Sequence, residues 1–316
     1  MNMPGSTFFC FAKSPDLNVI AGNDVLVVQR QCTQEQFNFL GVVRKLGVKI
    51  IYDLDDDVWH IPEENPAHAI LTPHGEGYKA CIRAADVVTT STKTLARTIQ
   101  KSVGTMVNCI TKKEIPIVVA PNLLDPKLYA TPLGGDGIVI GWAGSSSHVG
   151  DVRLIEPAMA MVAEEYPNVI WEFRGMPPPA DMVLPTSFRH RFWTPVAEFG
   201  ARMPTWGWSI ALAPLTDHQF NAAKSPIKMI EAGWCGIPCL ASWVKPYVDF
   251  THHDEELRWL LCAGQSVWAR KLRELINDPA RRADLGQRAR AVVQKHYTYS
   301  GPHKDWDIAL AKAKGA

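Results

Sequence analysis

Short apolar runs rich in β-branched residues alternate along this chain with amphipathic segments, and the alternation occurs twice. In the first series Val25–Gln29 reads as a strand. Thr33–Leu46 follows as a helix with Phe37, Leu40 and Val43 on one face, and Lys49–Asp53, Asp86–Thr90 and Ile117–Ala120 read as further strands. A turn-rich segment, Thr131–Gly137, then interrupts the pattern. In the second series Ile138–Ala143, Val169–Phe173, Ile210–Pro214 and Pro238–Ser242 are strands, while Asp151–Tyr166, Ser225–Cys235, Val267–Ile276 and Ala280–Lys295 are helices. Unbroken apolar strands separated by helices imply parallel sheets covered on both faces. The expected architecture is therefore α/β, with two doubly wound Rossmann-like domains facing a cleft. The first spans 1–132 and the second 133–298.

A chain of 316 residues, 47% hydrophobic and 21% charged, needs no disulfide or metal staples. The balance of 33 Lys+Arg against 32 Asp+Glu excludes a strongly basic or acidic protein, though not a local basic patch. No run of 18 apolar residues is present, which argues against a transmembrane helix, and residues 1–16 lack the features of a secretory leader. Seven cysteines without a CxxC pair read as reduced thiols, so a cytoplasmic location is expected. Between Val267 and Lys295 eight Lys/Arg stand against three Asp/Glu. That mildly basic face leaves peripheral membrane or phosphate contact open, beside the plainer reading of a solvated surface.

Three segments carry chemistry. In the first, Phe220–Pro238, Ser225 is a good N-cap and Pro226 a good first helical residue. A helix starting there aims its free N–H groups at an anion. Lys224, Lys228 and Glu231 at i, i+4 and i+7 share a face, so two cations flank the helix start and a carboxylate follows a turn deeper. Two cations beside the positive end of a helix dipole conflict unless an anionic ligand lies between them. In the second, Ile138–Asp151, a strand enters a small-residue turn. Gly144, Ser145 and Ser146 allow close backbone approach to phosphate, with His148 and Asp151 at the following helix. In the third, Lys49–Trp59, Asp53, Asp55, Asp56 and Asp57 crowd a strand end. Those aspartates suit sugar hydroxyls or helix capping better than a metal, and Arg30 after the first strand joins them as an acceptor-side candidate. Trp193, Trp206 and Trp208 suit core packing, with stacking on a sugar or base as the alternative.

Taken in order, "IYDLDDDVW", "ADVVTTST", "VVAPNLLD", "IGWAGSSSH" and "FNAAKSPIKMIEAGWCGIPCLAS" resemble the family 4 group of retaining, nucleotide-sugar-dependent glycosyltransferases, which have the GT-B fold. The resemblance implies a nucleotide-diphosphate sugar as donor substrate, no tightly bound cofactor and no metal, and a final helix within 299–316 that packs back on the first domain. It places Lys224 at the diphosphate, Glu231 at the ribose, and Gly144 and Ser145 along the diphosphate turn. The family's usual first glutamate is replaced by Ala223, which passes the sugar contact to another group such as Asn221. The common arginine after the first donor-domain strand gives way to the serine-rich turn. Charge grows on the leaving diphosphate as the glycosidic bond breaks, and Lys224 and Lys228 would stabilise it. The implied acceptor is a hydroxyl of a glycan or lipid-linked sugar. Two alternatives stand beside it: transfer to a hydroxymethylated base in DNA, and an inactive sugar-nucleotide-binding module motivated by Ala223.

Overall fold

The computed structural model describes residues 15–129, 137–299 and 304–315. All of the expected boundary segment except Gly137 lies outside these residues. Contacts group the chain into two compact units, 1–55 with 73–120 and 304–316, and 56–72 with 121–303. The linear split expected at residue 132 differs from this grouping. Residues 56–72, which follow the second strand, pack with the second unit, and so do residues 121–129.

The first unit holds a parallel sheet of β1 (Val25–Gln29), β2 (Lys49–Leu54), β3 (Val87–Thr90) and β4 (Ile117–Val119), in the order β1-β2-β3-β4. Ile50, Ile51, Tyr52 and Leu54 are all fully buried, as a strand covered on both faces requires. Strand order never reverses here. Right-handed crossovers stepping in one direction lay their helices on one face, which leaves the other to be covered from elsewhere. The helix Asp305–Lys314 covers it: Ala309 and Ala313, one turn apart, pack against Ile51, Val87 and Val118. Trp306 and Leu310 border that contact.

The second unit holds β5 (Val139–Gly144), β6 (Ile170–Gly175), β7 (Phe188–Arg191), β8 (Ile210–Ala213), β9 (Cys239–Ser242) and β10 (Leu261–Cys262), also parallel. Their order is β10-β9-β8-β5-β6-β7. The chain begins at the centre, steps outward to β7, and returns to the far side of β5. Loops leaving β5 and β8 therefore diverge, and a crevice opens at their carboxyl ends. Beneath it Trp142, Trp171 and Phe173 are fully buried, with Trp142 and Phe173 ring centroids 5.2 Å apart. Gly141 is required there, because a Cβ would lie 1.9 Å from the Trp208 ring.

Candidate functional site

At the carboxyl end of β5 the chain turns through Ser145–Ser147, whose outer two hydroxyls are 2.8 Å apart. Gly144 begins the turn because a side chain would meet Trp142 at 2.5 Å and His148 at 3.3 Å. The expected helix Asp151–Tyr166 is two helices, Val149–Arg153 and Glu156–Glu165. The first carries Asp151 inward, where it is only 5% exposed. Its Oδ2 accepts from His148 Nδ1 at 2.8 Å, and its Oδ1 accepts from the Thr216 backbone N–H at 2.7 Å and from Asn221 Nδ2 at 3.2 Å. One carboxylate thus ties the loop after β5 to the loop after β8. Burial pushes the Asp151 carboxyl up, but hydrogen bonds from His148 and Thr216 outweigh it and hold the group below its ordinary value. Burial, with Lys228 and Lys224 nearby, holds the His148 imidazole down at about 4.

Asn221 was expected to reach a sugar. It is 2% exposed, and its amide nitrogen is committed to Asp151, to the Thr216 carbonyl at 2.9 Å and to His218 Nε2 at 3.1 Å. It braces the loop instead.

The helix expected over Ser225–Cys235 runs from Ile227 to Trp234. Pro226 occupies the cap position without a side-chain bond, and the Ser225 hydroxyl accepts from Asn122 Nδ2 at 2.8 Å rather than capping. Lys224 therefore precedes the helix and does not continue its face. Its ammonium lies 3.4 Å from Asp56 Oδ1 and 4.3 Å from the Phe220 ring centroid. Lys228, within the first turn, donates to the Ala143 carbonyl at the end of β5, and its ammonium is 5.4 Å from the Trp142 ring centroid. Burial lowers the Lys228 pKa, and the Glu231 carboxylate opposes that shift. Burial raises Glu231 to about 7, with Lys228 pulling the other way. Lys228 and Glu231, at i and i+3, are both half-buried on one face of the helix.

The four aspartates of the third segment do not form one cluster. Asp53 accepts from Thr89 at 2.6 Å and Gln29 at 2.8 Å, and burial raises its pKa against those bonds. Asp55 pairs with Arg30 at 2.7 Å. Asp56 faces Lys224, and the fully buried Asp57 accepts from His60 Nδ1 at 2.9 Å. The backbone turns after β2 and sends successive carboxylates to different partners. Asp55 remains in the first unit, whereas Asp56 and Asp57 belong to the second. Arg30 itself has φ +56°, a left-handed conformation that costs energy for a side chain larger than glycine. Among the described residues no group of three His, Cys, Asp or Glu is arranged to hold a metal ion.

The segment after Asp57 forms one wall of a recess at the β5/β8 reversal. Glu64 and Asn65 face Ser147, Asp151, Thr216 and His218 across this small recess, which is partly open to solvent. Gln219 Nε2 lies 3.2 Å from His60 Nε2 beside it. Asp151, Thr216 and Asn65 escaped the sequence reading as site residues. The spacing of His148 and Asp151, three apart at a helix start, was the available signal for the first.

The remaining candidates are held in local structure. Trp208 is buried and donates to Glu172 at 2.8 Å, and Trp206 lies beneath Arg174 at 4.4 Å. Trp193 is 55% exposed. Along the basic terminal helices, Arg273 pairs with Glu165, Arg270 with Glu274, and Arg288 with Asp254 and Asp284. The described cysteines are all free thiols, and among the described residues no helix is long and apolar enough to cross a membrane.

No protein-family model and no curated protein matches the sequence. Solved structures do. TarM aligns with a TM-score of 0.65 at 12% identity over 92% of this chain and 54% of its own, so the chain spans about half of that protein. HepE of Anabaena, in complex with UDP and glucose, aligns with a TM-score of 0.60 at 12% identity over 95% of this chain and 80% of its own. WaaG, a glycosyltransferase involved in lipopolysaccharide biosynthesis, aligns with a TM-score of 0.60 at 14% identity, covering 87% and 82%. At such identities the likeness is one of fold: two parallel α/β sheets as in GT-B glycosyltransferases.

Proposed function

We propose that this chain is a glycosyltransferase that moves a sugar from a nucleotide-diphosphate donor to a hydroxyl acceptor, with retention at the anomeric carbon. The observation that carries the reading is the gathering of Lys224, Lys228, Glu231 and the serine turn around the single reversal of strand order, where open α/β sheets bind ligands. The likeness of fold to HepE, whose structure contains UDP and glucose, supports a nucleotide-sugar donor. Retention and a glycan or lipid-linked acceptor rest on the family resemblance of the motifs.

In this reading Lys224 exchanges the Asp56 carboxylate for the donor diphosphate. Its charge counts most when the bond to the sugar breaks and the diphosphate gains negative charge. Lys228, tied to the Ala143 carbonyl, keeps a second positive charge at the end of β5. Gly144, Ser145 and Ser146 admit the phosphates to the backbone. Glu231, as a carboxylate, accepts hydrogen bonds from the ribose. Arg30 and Asp55 in the first unit serve the acceptor. The test is a panel of nucleotide sugars assayed for release of the nucleoside diphosphate, with and without hydroxyl acceptors. Release from at least one donor is expected. A folded chain that neither binds nor cleaves any of them contradicts the proposal.

A further inference from the structure

We infer that Asp151 is a positioning residue that fixes the His148 ring so that its Nε2 lone pair accepts a hydroxyl of the sugar-nucleotide donor. The inference rests on the donor reading above and adds to it a group and a contact.

The geometry leaves Asp151 little freedom. Three donors converge on it: His148 Nδ1, the Thr216 backbone N–H and Asn221 Nδ2, at 2.8, 2.7 and 3.2 Å. A carboxylate bound to three donors stays ionised and can only accept. The ring nitrogen facing it must therefore carry the proton, and in a neutral imidazole the other nitrogen then carries the lone pair. The ring is neutral at ordinary pH because burial, Lys228 and Lys224 hold its pKa at about 4 against the opposing pull of Asp151. Its place is set by Trp142, whose ring meets it edge-on at 6.4 Å, and by Gly144, which leaves room for its Cδ2 edge.

The groups facing His148 divide the donor by chemistry. Lys224 and Lys228 offer positive charge, which suits phosphate oxygens. A lone pair repels those oxygens and needs an O–H. The ring thus selects a hydroxyl next to the diphosphate, on either the ribose or the transferred sugar. Asp151 acts through the ring and through the braced loop after β8, without touching the donor.

Two measurements on the full chain test this. The first is nitrogen-15 NMR of the histidine rings. Wild type should show His148 neutral at pH 7 with the proton on Nδ1. In Asp151→Asn the amide N–H₂ can turn toward Nδ1 and move the proton to Nε2, converting the acceptor into a donor. A wild-type ring protonated on Nε2, or an unchanged tautomer in folded Asp151→Asn, overturns the inference without bearing on the donor reading. The second is calorimetric titration with UDP-glucose, GDP-mannose and dTDP-glucose, and with the nucleoside diphosphate of whichever binds. His148→Ala and Asp151→Asn should each weaken the nucleotide sugar about tenfold, and His148→Gln, which keeps a carbonyl acceptor, should weaken it less. Loss confined to the nucleotide sugar assigns the hydroxyl to the transferred sugar, and equal loss for the nucleoside diphosphate assigns it to the ribose. Unchanged affinity in both variants overturns the inference while the donor reading stands. A wild-type chain that binds none of the probes defeats the donor reading and this inference together.

Discussion

The two sheets are built from the same kind of strand, yet their carboxyl ends differ. In the first, order runs β1-β2-β3-β4 and successive loops follow one another in the same direction. The polar groups there neutralise each other pairwise: Arg30 with Asp55, Asp53 with Thr89 and Gln29. In the second, order reverses between β5 and β8, and the loops part around a recess. There the polar groups form a network, with Asp151 bridging both loops and Lys228 bound to the end of β5. Topology decides which sheet opens a crevice. Side-chain chemistry then determines whether the crevice is merely satisfied or is shaped for a ligand.

The largest effect that would break this comparison concerns the face of the first sheet that the helix Asp305–Lys314 covers. Deleting residues 304–316 bares Ile51, Val87 and Val118. Each fully buried aliphatic side chain contributes about 1.5–3 kcal/mol, so the loss approaches the typical net stability of about 5–15 kcal/mol. The truncated chain should lose the cooperative melt of its first unit and aggregate. An unchanged melting curve would mean that this helix is not what covers the sheet.

A smaller effect sharpens the second half of the comparison. Burial raises Glu231 from its ordinary value of about 4.5 to about 7. Between those values the folded chain binds the proton that the unfolded chain has released, so this group's contribution to stability falls as pH rises through the window. Glu231→Gln should flatten that slope. Donor binding moves the opposite way, because the ribose needs the carboxylate: donor KM should fall as pH rises through about 7, and should be higher and pH-independent in the variant. A wild-type donor KM that stays level from pH 6 to 8 would remove Glu231 from the ribose.

The smallest effect lies at the other carboxyl edge. Arg30 and Asp55 are 37% and 36% exposed, so water screens their attraction. Asp55→Asn should shift stability by less than about 1 kcal/mol in a denaturant titration. A larger loss would mean that the strained backbone at Arg30 depends on this pair.

Much of this architecture was legible in advance. Val25–Gln29 was read with its observed bounds, and β2, β5, β6, β8 and β9 within a residue or two, because continuous Val and Ile runs leave few alternatives. β7 escaped notice because Phe188-Arg-His-Arg191 has no apolar run, and as an edge strand it pairs with β6 alone. β10 is two residues long. The site was legible in composition more than in geometry. Lys224, Lys228 and Glu231 were read onto one helix face, but Pro226 as cap residue moved Lys224 off the helix. Asp53 to Asp57 looked like one cluster because adjacency in sequence resembles adjacency in space. A turn after β2 sent each carboxylate to a separate partner, which no local pattern announces. Asp151 was missed as a hub for the same reason, since two of its three partners lie 65 and 70 residues away.

The claim that the reversal in the second sheet is a donor site depends most on Lys224. Its side chain is partly exposed and its ion pair with Asp56 is a long 3.4 Å contact, so Lys224→Ala should leave the melting temperature close to wild type. If the ammonium binds the departing diphosphate, steady-state kinetics of the variant should show kcat lowered by about 10²–10³, together with weaker donor binding. Wild-type kcat in a folded Lys224→Ala chain would contradict the assignment of this site.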